Sequence, residues 1–387
     1  MSTVYAKVTG QCSNCHSMHN SQNASTMVAI GTFGTYARWD GGRIQGGVTH
    51  TPQSTLLISD CVGCHSSSGN QTIISLGGTN VPIVFNQQEP SKTPLPGGTN
   101  QLAGGNFYWM VYGSGSQADK DGRGHNVYGI SGIDSVLTAN PGNPIGCGNA
   151  NDCHESLAHK KEIGGPEREN GCRACHTPDH HGADPSPGPQ EDAGSGWYRF
   201  LKPQTHTSVS PGDVEPVTGV EDSLWERDAI VGGSNHNIYY AGDFEDPYII
   251  PSTLGRFCAG CHQDFHAPGD YWGDWEPYSG SGENDSPWIR HPADARIRNI
   301  AGSEYGGANG VIGKSYDPLV PVGKILVGGS PGTVLENDTV MCVSCHRSHG
   351  SPYADMLRWD YSGMMSHTTG PSDTNGCFFC HREKDDS

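Results

Sequence analysis

Fourteen cysteines in this 387-residue chain fall into seven close pairs, and each pair is followed at once by a histidine. Six read C-x-x-C-H: Cys12, Cys15 and His16; Cys61, Cys64 and His65; Cys172, Cys175 and His176; Cys258, Cys261 and His262; Cys342, Cys345 and His346; Cys377, Cys380 and His381. The seventh is stretched, with five residues between Cys147 and Cys153 before His154. This is the pattern of covalent c-type haem attachment. Two thiols add across the two vinyl groups of one porphyrin, and the next residue sets an imidazole under the iron. Zinc ribbons need no histidine after each second cysteine, disulfide frameworks have no use for it, and thioredoxin-like CxxC belongs to a βαβ context missing from this sequence. For the stretched pair a local disulfide is the competing reading. Seven covalently attached haem c groups are therefore expected, at 12–16, 61–65, 147–154, 172–176, 258–262, 342–346 and 377–381.

Seven of the 19 histidines are proximal by motif, and twelve remain: His19, His50, His125, His159, His180, His181, His206, His236, His266, His291, His349 and His367. Bis-histidine ligation of seven irons needs seven of these, so the eight methionines are not required as ligands. His19, His180, His181, His266 and His349 each follow a motif by three to five residues. From there a side chain reaches the opposite face of its own haem with difficulty, but it can reach a neighbouring haem packed alongside. An internal repeat adds two more: 124–128 (Gly-His-Asn-Val-Tyr) resembles 235–239 (Asn-His-Asn-Ile-Tyr), and His125 and His236 lie 22 residues before Cys147 and Cys258. His291 stands before Pro292, which stiffens its approach. The distal candidates are thus His19, His125, His180, His181, His236, His266, His291 and His349. His159 lies in a lysine-rich stretch, which suits solvent exposure, and His50, His206 and His367 lie in polar ones, which suits surface residues or fallback ligands.

A core built from side chains alone would be thin. Hydrophobic residues are 34% of the chain, against 55 glycines and 26 prolines. With roughly one haem per 55 residues, each segment is expected to wrap cofactors. The predicted fold is a single multihaem unit over 1–387, mostly irregular coil with short helices and few strands around seven closely stacked haems. Helices are expected over Leu56 to His65 and from Pro352 through Trp359, and strand pieces near Ile73, Val81 and Lys324 to Val327. Ordered coil is expected at 94–105, 182–196 and 279–285. Tyr5, Trp109, Trp197, Tyr239, Tyr240, Phe378 and Phe379 are expected to pack on porphyrin faces. Asp119 and Asp121 faintly resemble a calcium loop whose other ligands are missing.

The formal charge of −18 argues against a nucleic-acid partner, and no apolar run is long enough for a membrane span. Residues 1–10 lack the apolar stretch of a secretory signal. Attachment to CxxCH takes place outside the cytoplasm, so a leader removed from or omitted in this numbering is expected.

Three functions compete: conduction along a chain of haems, a discrete soluble periplasmic carrier, and a multihaem reductase of the nitrite or hydroxylamine type. Enzymes of the last kind need an open iron position, and the nitrite reductases resemble one another in a lysine replacing the motif histidine. All seven motifs here end in histidine, and distal histidines are in surplus. Electron transfer is the expected activity, with no catalytic residues, and bis-histidine ligation implies low potential.

Several flanks carry a resemblance. Residues 11–20 (Gln-Cys-Ser-Asn-Cys-His-Ser-Met-His-Asn), the Gly-His-Asn segment, 257–266 (Phe-Cys-Ala-Gly-Cys-His-Gln-Asp-Phe-His), 290–293 (Arg-His-Pro-Ala) and 342–349 (Cys-Val-Ser-Cys-His-Arg-Ser-His) are similar, in the same order, to those of OmcS-type extracellular cytochromes. So is the haem motif at the extreme C-terminus. The family pattern has six haems, so the stretched motif is an addition. The resemblance implies a conductive homopolymeric filament at the cell surface, exported through the periplasm and passing electrons to other cytochromes or extracellular acceptors. It also implies that a distal histidine can come from the adjacent subunit, a role matched here by His19.

Overall fold

The computed structural model describes residues 8, 10–16, 18–19, 21–22, 25–26, 38–40, 43–45, 61–76, 79–90, 101–137, 157–158, 171–178, 180–181, 198–201, 217–241, 253–259, 261–262, 295–299, 305–306, 310–325, 332–365 and 376–381. Regular structure among them is short. The longest helix, Leu254–Ala259, has six residues, and the longest strands, Ile73–Leu76 and Thr79–Pro82, have four each. Such pieces are too short to persist alone, so packing partners must hold them. The expected mostly coil architecture is what the described residues adopt.

One small sheet runs Arg43–Gln45, Arg38–Asp40, Ser66–Ser67, Phe85–Asn86, antiparallel across the first pair and parallel thereafter. Its third strand, paired on both sides, begins directly after the Cys61–His65 helix, so the motif is anchored at the start of an inner strand. The hairpin of Ile73–Leu76 and Thr79–Pro82 buries Ile73, Ile74 and Val81 and ends with its Pro82 carbonyl against His65.

The apolar interior is divided. Val62, Phe85, Phe107, Met110, Val127 and Ile130 form one cluster, bordered by Cys172. A second, with Tyr198, Val217, Tyr239, Leu254 and Met341, is bordered by Cys175. The third, with Val311, Tyr316, Val322, Val334, Trp359 and Phe379, is bordered by Cys345, Cys377 and Cys380. Each of these three clusters ends at a haem-motif cysteine, where a porphyrin would continue the apolar surface.

The expected helix through Cys61–His65 forms, and its predicted start at 56–60 lies outside the described residues. After Pro352 the chain makes a single 3-10 turn, Ala354–Met356, in which Asp355 and Met356 take left-handed φ of 56° and 57°. A continuing helix would turn their carbonyls inward along its own axis, and here both face the 342–347 segment. Of the strand piece expected over Lys324 to Val327, Lys324 makes a bridge to Tyr240, and 326–327 lie outside the described residues. Lys324 is buried with Asp338, with which it forms an ion pair, and it also donates to the Thr333 carbonyl. Of the expected coil, 101–105 is ordered, and Gly105 at φ 81° lies so close to the Gly350 carbonyl that no Cβ fits. The coil at 182–196 and 279–285 lies outside the described residues.

Asp119 and Asp121 serve the fold. Asp119 closes a capping box with Ser116 at the start of Gln117–Asp121. Asp121 is buried and accepts from Ser135 N and Oγ, Gln117 Nε2 and Asn126 Nδ2. Burial pushes its carboxyl up, but these donors outweigh it and hold the group below the usual carboxylate range. Its contribution is therefore present above the ordinary carboxylate pKa and is lost as pH falls through the lowered value. Asp121→Ala strands those donors and is expected to cost about 1–3 kcal/mol, read as a lower denaturation midpoint at neutral pH. An unchanged midpoint would mean that the four bonds contribute nothing net.

Candidate functional site

Each described C-x-x-C-H motif is one helical turn. The amide of His16, His176, His262, His346 and His381 donates to the carbonyl of the first cysteine of its own motif at 2.8–3.0 Å, and Cys61–His65 is α-helical throughout. Spacings of three and four residues bring both sulfurs and the imidazole to one face of the turn, which is what two vinyl attachments and one axial bond require.

Twelve cysteines are described, and none is in a disulfide. Burial, reinforced by Cys261 and Cys377 respectively, pushes the Cys175 and Cys345 thiols up to about 12. Burial also raises Cys15 and Cys377. Zinc binding and thiol exchange both need thiolate, and here the thiol form is favoured. Among the described residues no group of three or more His, Cys, Asp or Glu is placed to hold a metal ion.

The histidines meet in pairs. His16 and His181 stack with ring centroids 5.6 Å apart and Nε2 atoms 3.4 Å apart. His65 and His180 are 6.3 Å apart, His125 and His262 6.2 Å, and His176 and His349 6.0 Å. Each pair joins a motif histidine to a distal candidate from elsewhere in the chain. Metal–imidazole bonds of about 2 Å on both sides of an iron set the nitrogens about 4 Å and the ring centroids about 6 Å apart. The four centroid separations fit that figure, and the Nε2 atoms of His16 and His181, at 3.4 Å, lie about 0.6 Å nearer than it requires.

Hydrogen bonds fix the tautomers. Nδ1 of His65 donates to Pro82 O at 2.8 Å, that of His125 to Ser348 O at 2.9 Å, and that of His176 to Arg199 O at 2.9 Å. Those of His346 and His236 donate to Asp355 O and Asn237 O, both at 2.7 Å. A carbonyl only accepts, so Nδ1 carries the proton and Nε2 keeps its lone pair for a metal. Burial, as the largest cause, lowers the pKa of His65, His125 and His176, and takes His349 to about 3. In all four the neutral imidazole, the form able to bind a metal, is thereby favoured.

Two of these carbonyls are presented by the same device, which the sequence reading missed. Arg199 and Phe200 both have left-handed backbone, as do Asp355 and Met356. In each case the first residue's carbonyl accepts a hydrogen bond from Nδ1 of a motif histidine. The second accepts from the residue after the histidine, Thr177 or Arg347, and the following leucine, Leu201 or Leu357, bridges to the histidine itself. Left-handed backbone is strained in non-glycine residues and gathers at functional sites. The only sequence signal is faint, Tyr-Arg-Phe-Leu-Lys at 198–202 against Ala-Asp-Met-Leu-Arg at 354–358.

Gly124 explains how His125 reaches its place. A Cβ there would meet Met110 Sδ at 2.6 Å and His349 O at 2.8 Å, so only glycine allows the approach. Its counterpart in the internal repeat, His236, has different surroundings: it is buried, with its ring flat on Tyr316 at 3.9 Å. His381 contacts the Tyr305 ring at 6.0 Å, and His19 is exposed with a left-handed φ of 52°. Trp109, Tyr239, Phe378 and Phe379 are buried. Cys147, Cys153, His154, His266 and His291 lie outside the described residues, as do Tyr5 and Trp197.

The comparisons agree with this chemistry. Residues 334–386 match the doubled CXXCH motif family. Over 416 aligned residues the chain is 24% identical to the C-type cytochrome OmcS of Geobacter sulfurreducens, covering 94% of this chain and 84% of that one. Its fold is similar to that of the Outer Membrane Cytochrome S Filament from Geobacter sulfurreducens, with a TM-score of 0.50 at 17% identity over 99% of this chain and 93% of the other. No described helix is long and apolar enough to cross a membrane. Attachment turns, fold and sequence similarity together support an OmcS-type multihaem c-type cytochrome, with CxxCH motifs suited to covalently bound haem.

Proposed function

We propose that this protein carries electrons over long distances outside the cell, through a continuous series of seven bis-histidine haems in a single unit over 1–387, and that its subunits polymerise head to tail into a filament. Haem supplies the one-electron chemistry when bound. The chain's residues attach it through the fourteen motif cysteines and hold neutral imidazoles at fixed orientation. The assignment pairs His16 with His181, His65 with His180, His176 with His349, and His262 with His125. His154, His346 and His381 draw on His19, His236, His266 and His291.

The observation that carries this reading is the interlocking of the ligand pairs. Consecutive residues His180 and His181 serve motifs 61–65 and 12–16, whose sites must therefore adjoin. His349, three residues beyond His346, serves motif 172–176. His125, serving 258–262, is hydrogen-bonded to Ser348 O beside it. Cysteines of motifs 342–346 and 377–381 share one apolar cluster. A chain of touching sites suits conduction, and closed coordination at each site does not suit a reductase. The OmcS relative is solved as a filament, which supports copies of this chain as its main partner, a cell-surface location, and other cytochromes or extracellular acceptors at the ends.

Exposed His19 is assigned to a site of the adjacent subunit. Electron microscopy of the purified, haem-loaded protein is expected to show ordered filaments, and His19→Ala to abolish them with all seven haems retained. Monodisperse wild-type particles would overturn the filament reading in favour of a periplasmic carrier, and filaments of the variant would overturn the role of His19.

A further inference from the structure

Two arginines are buried beside the histidines of the 342–349 segment. Arg347 is 2% exposed and Arg358 4%. Arg347 Nη1 donates to Leu102 O at 2.7 Å and to Ala103 O at 3.2 Å. Arg358 donates to Val343 O at 2.6 Å, Pro318 O at 3.3 Å and, through Nη2, the same Ala103 O at 3.2 Å. Two guanidiniums therefore converge on one carbonyl oxygen, and neither is in an ion pair with a described carboxylate. The carboxylates facing them are Glu226, which accepts from Asn237 N and Tyr239 Oη, and Asp317, which accepts from Leu319 N. Burying two like charges costs stability and needs a reason other than packing. Arg347 sits between His346 and His349, which serve two adjoining sites under the proposed function, and this inference rests on that assignment.

We propose that Arg347 and Arg358 are potential-setting residues. Their buried positive charge disfavours the ferric state, which carries one more positive charge than the ferrous. It thereby raises the reduction potentials of the sites held by His346 and by His176 with His349 above those of the other sites. Electrons then rest in this part of each subunit before passing on. The carbonyls of Leu102 and Ala103 hold the guanidiniums in place and offer only partial negative charge to offset them. Glu226 is the carboxylate that opposes them most directly.

The test is a redox titration of the haem-loaded, full-length protein, followed by optical spectroscopy and by electron paramagnetic resonance. Arg347→Gln is expected to shift the highest-potential components downward by at least tenfold in the one-electron equilibrium, about 59 mV, with the remaining components unmoved. Arg347→Lys keeps the charge and should keep the potential. Glu226→Gln should move the same components upward. If Arg347→Gln fails to accumulate with haem, Arg358→Gln provides the same reading. A titration curve superimposable on the wild type, with haem count and low-spin signals intact, would overturn the proposal. Missing haem or high-spin signals in the wild type would instead overturn the ligand assignment on which it rests.

Discussion

Denied haem, the full-length chain is expected not to fold. Expressed without the attachment machinery, it should give a circular dichroism spectrum dominated by coil and no cooperative thermal transition, whereas the haem-loaded protein should melt cooperatively. The expected loss is the whole folding free energy, roughly 5–15 kcal/mol for a domain. The reason lies in how the apolar residues are distributed. Among the described residues, three separate clusters of six to eight buried residues stand where one core would be, and no helix exceeds six residues. Each cluster ends at motif cysteines, so porphyrin would supply the surface that joins them. Removing one attachment site should show the same dependence locally. Cys342→Ser with Cys345→Ser is expected to disturb the cluster of Tyr316, Trp359 and Phe379, because Cys345 borders it together with the cysteines of the last motif. A cooperative melt of the haem-free chain would show that the protein clusters suffice alone.

What could be read in advance follows from how local each constraint is. The attachment turns were legible because three reactive side chains must fall within five residues, and that spacing is written in the chain. The coil-rich fold was legible for a related reason, since glycine, proline and scarce apolar residues leave little else. Pairing of the distal histidines was not legible. His180 and His181 differ by one position yet face proximal histidines from two motifs, and nothing in a single sequence states which chain segments cross. The repeat around His125 and His236 illustrates the limit: similar residues, equal offsets, and different surroundings, because Gly124 allows a backbone approach that Asn235 has no means to copy. The left-handed pairs at Arg199–Phe200 and Asp355–Met356 were invisible for another reason. Their strain is imposed by the histidine and the neighbouring amide that need the carbonyls, and none of these residues carries the glycine or asparagine that usually marks such backbone. The helix predicted through Trp359 failed at the same place, since local propensity there yields to hydrogen bonds with a distant motif.

Replacing His349 with methionine is expected to raise the potential of one site on the order of 0.1–0.2 V, within the ~0.8 V span that axial ligands command. The position suits the test. His349 N donates to Gly104 O at 2.7 Å, which holds the backbone regardless of side chain. Its ring lies against Gly104 on one side and Phe107, at 5.0 Å, on another, so a flexible thioether has an apolar slot to enter. A sulfur ligand favours the ferrous state relative to imidazole, and the shift should come with a new sulfur-to-iron absorption band. His349→Ala, in contrast, should open one coordination position and bind carbon monoxide, which the wild type should not. Acid provides an independent check with a definite sign. The unfolded chain takes up this proton near 6.5, whereas the folded chain holds the group to about 3, chiefly through burial and then through His176, His125 and His65. The unfolded state therefore binds more protons between those values, and stability at this site should fall as pH drops through that window. His349→Met removes the titrating group and should flatten that part of the profile. It also separates ligand chemistry from nearby charge, since Arg347→Gln is expected to move potentials in the opposite direction and leave the acid profile of His349 in place. If His349→Met changed neither potential nor spectrum, the pair of His176 and His349, 6.0 Å apart, would be a packing contact and the interlocked series would break between motifs 172–176 and 342–346.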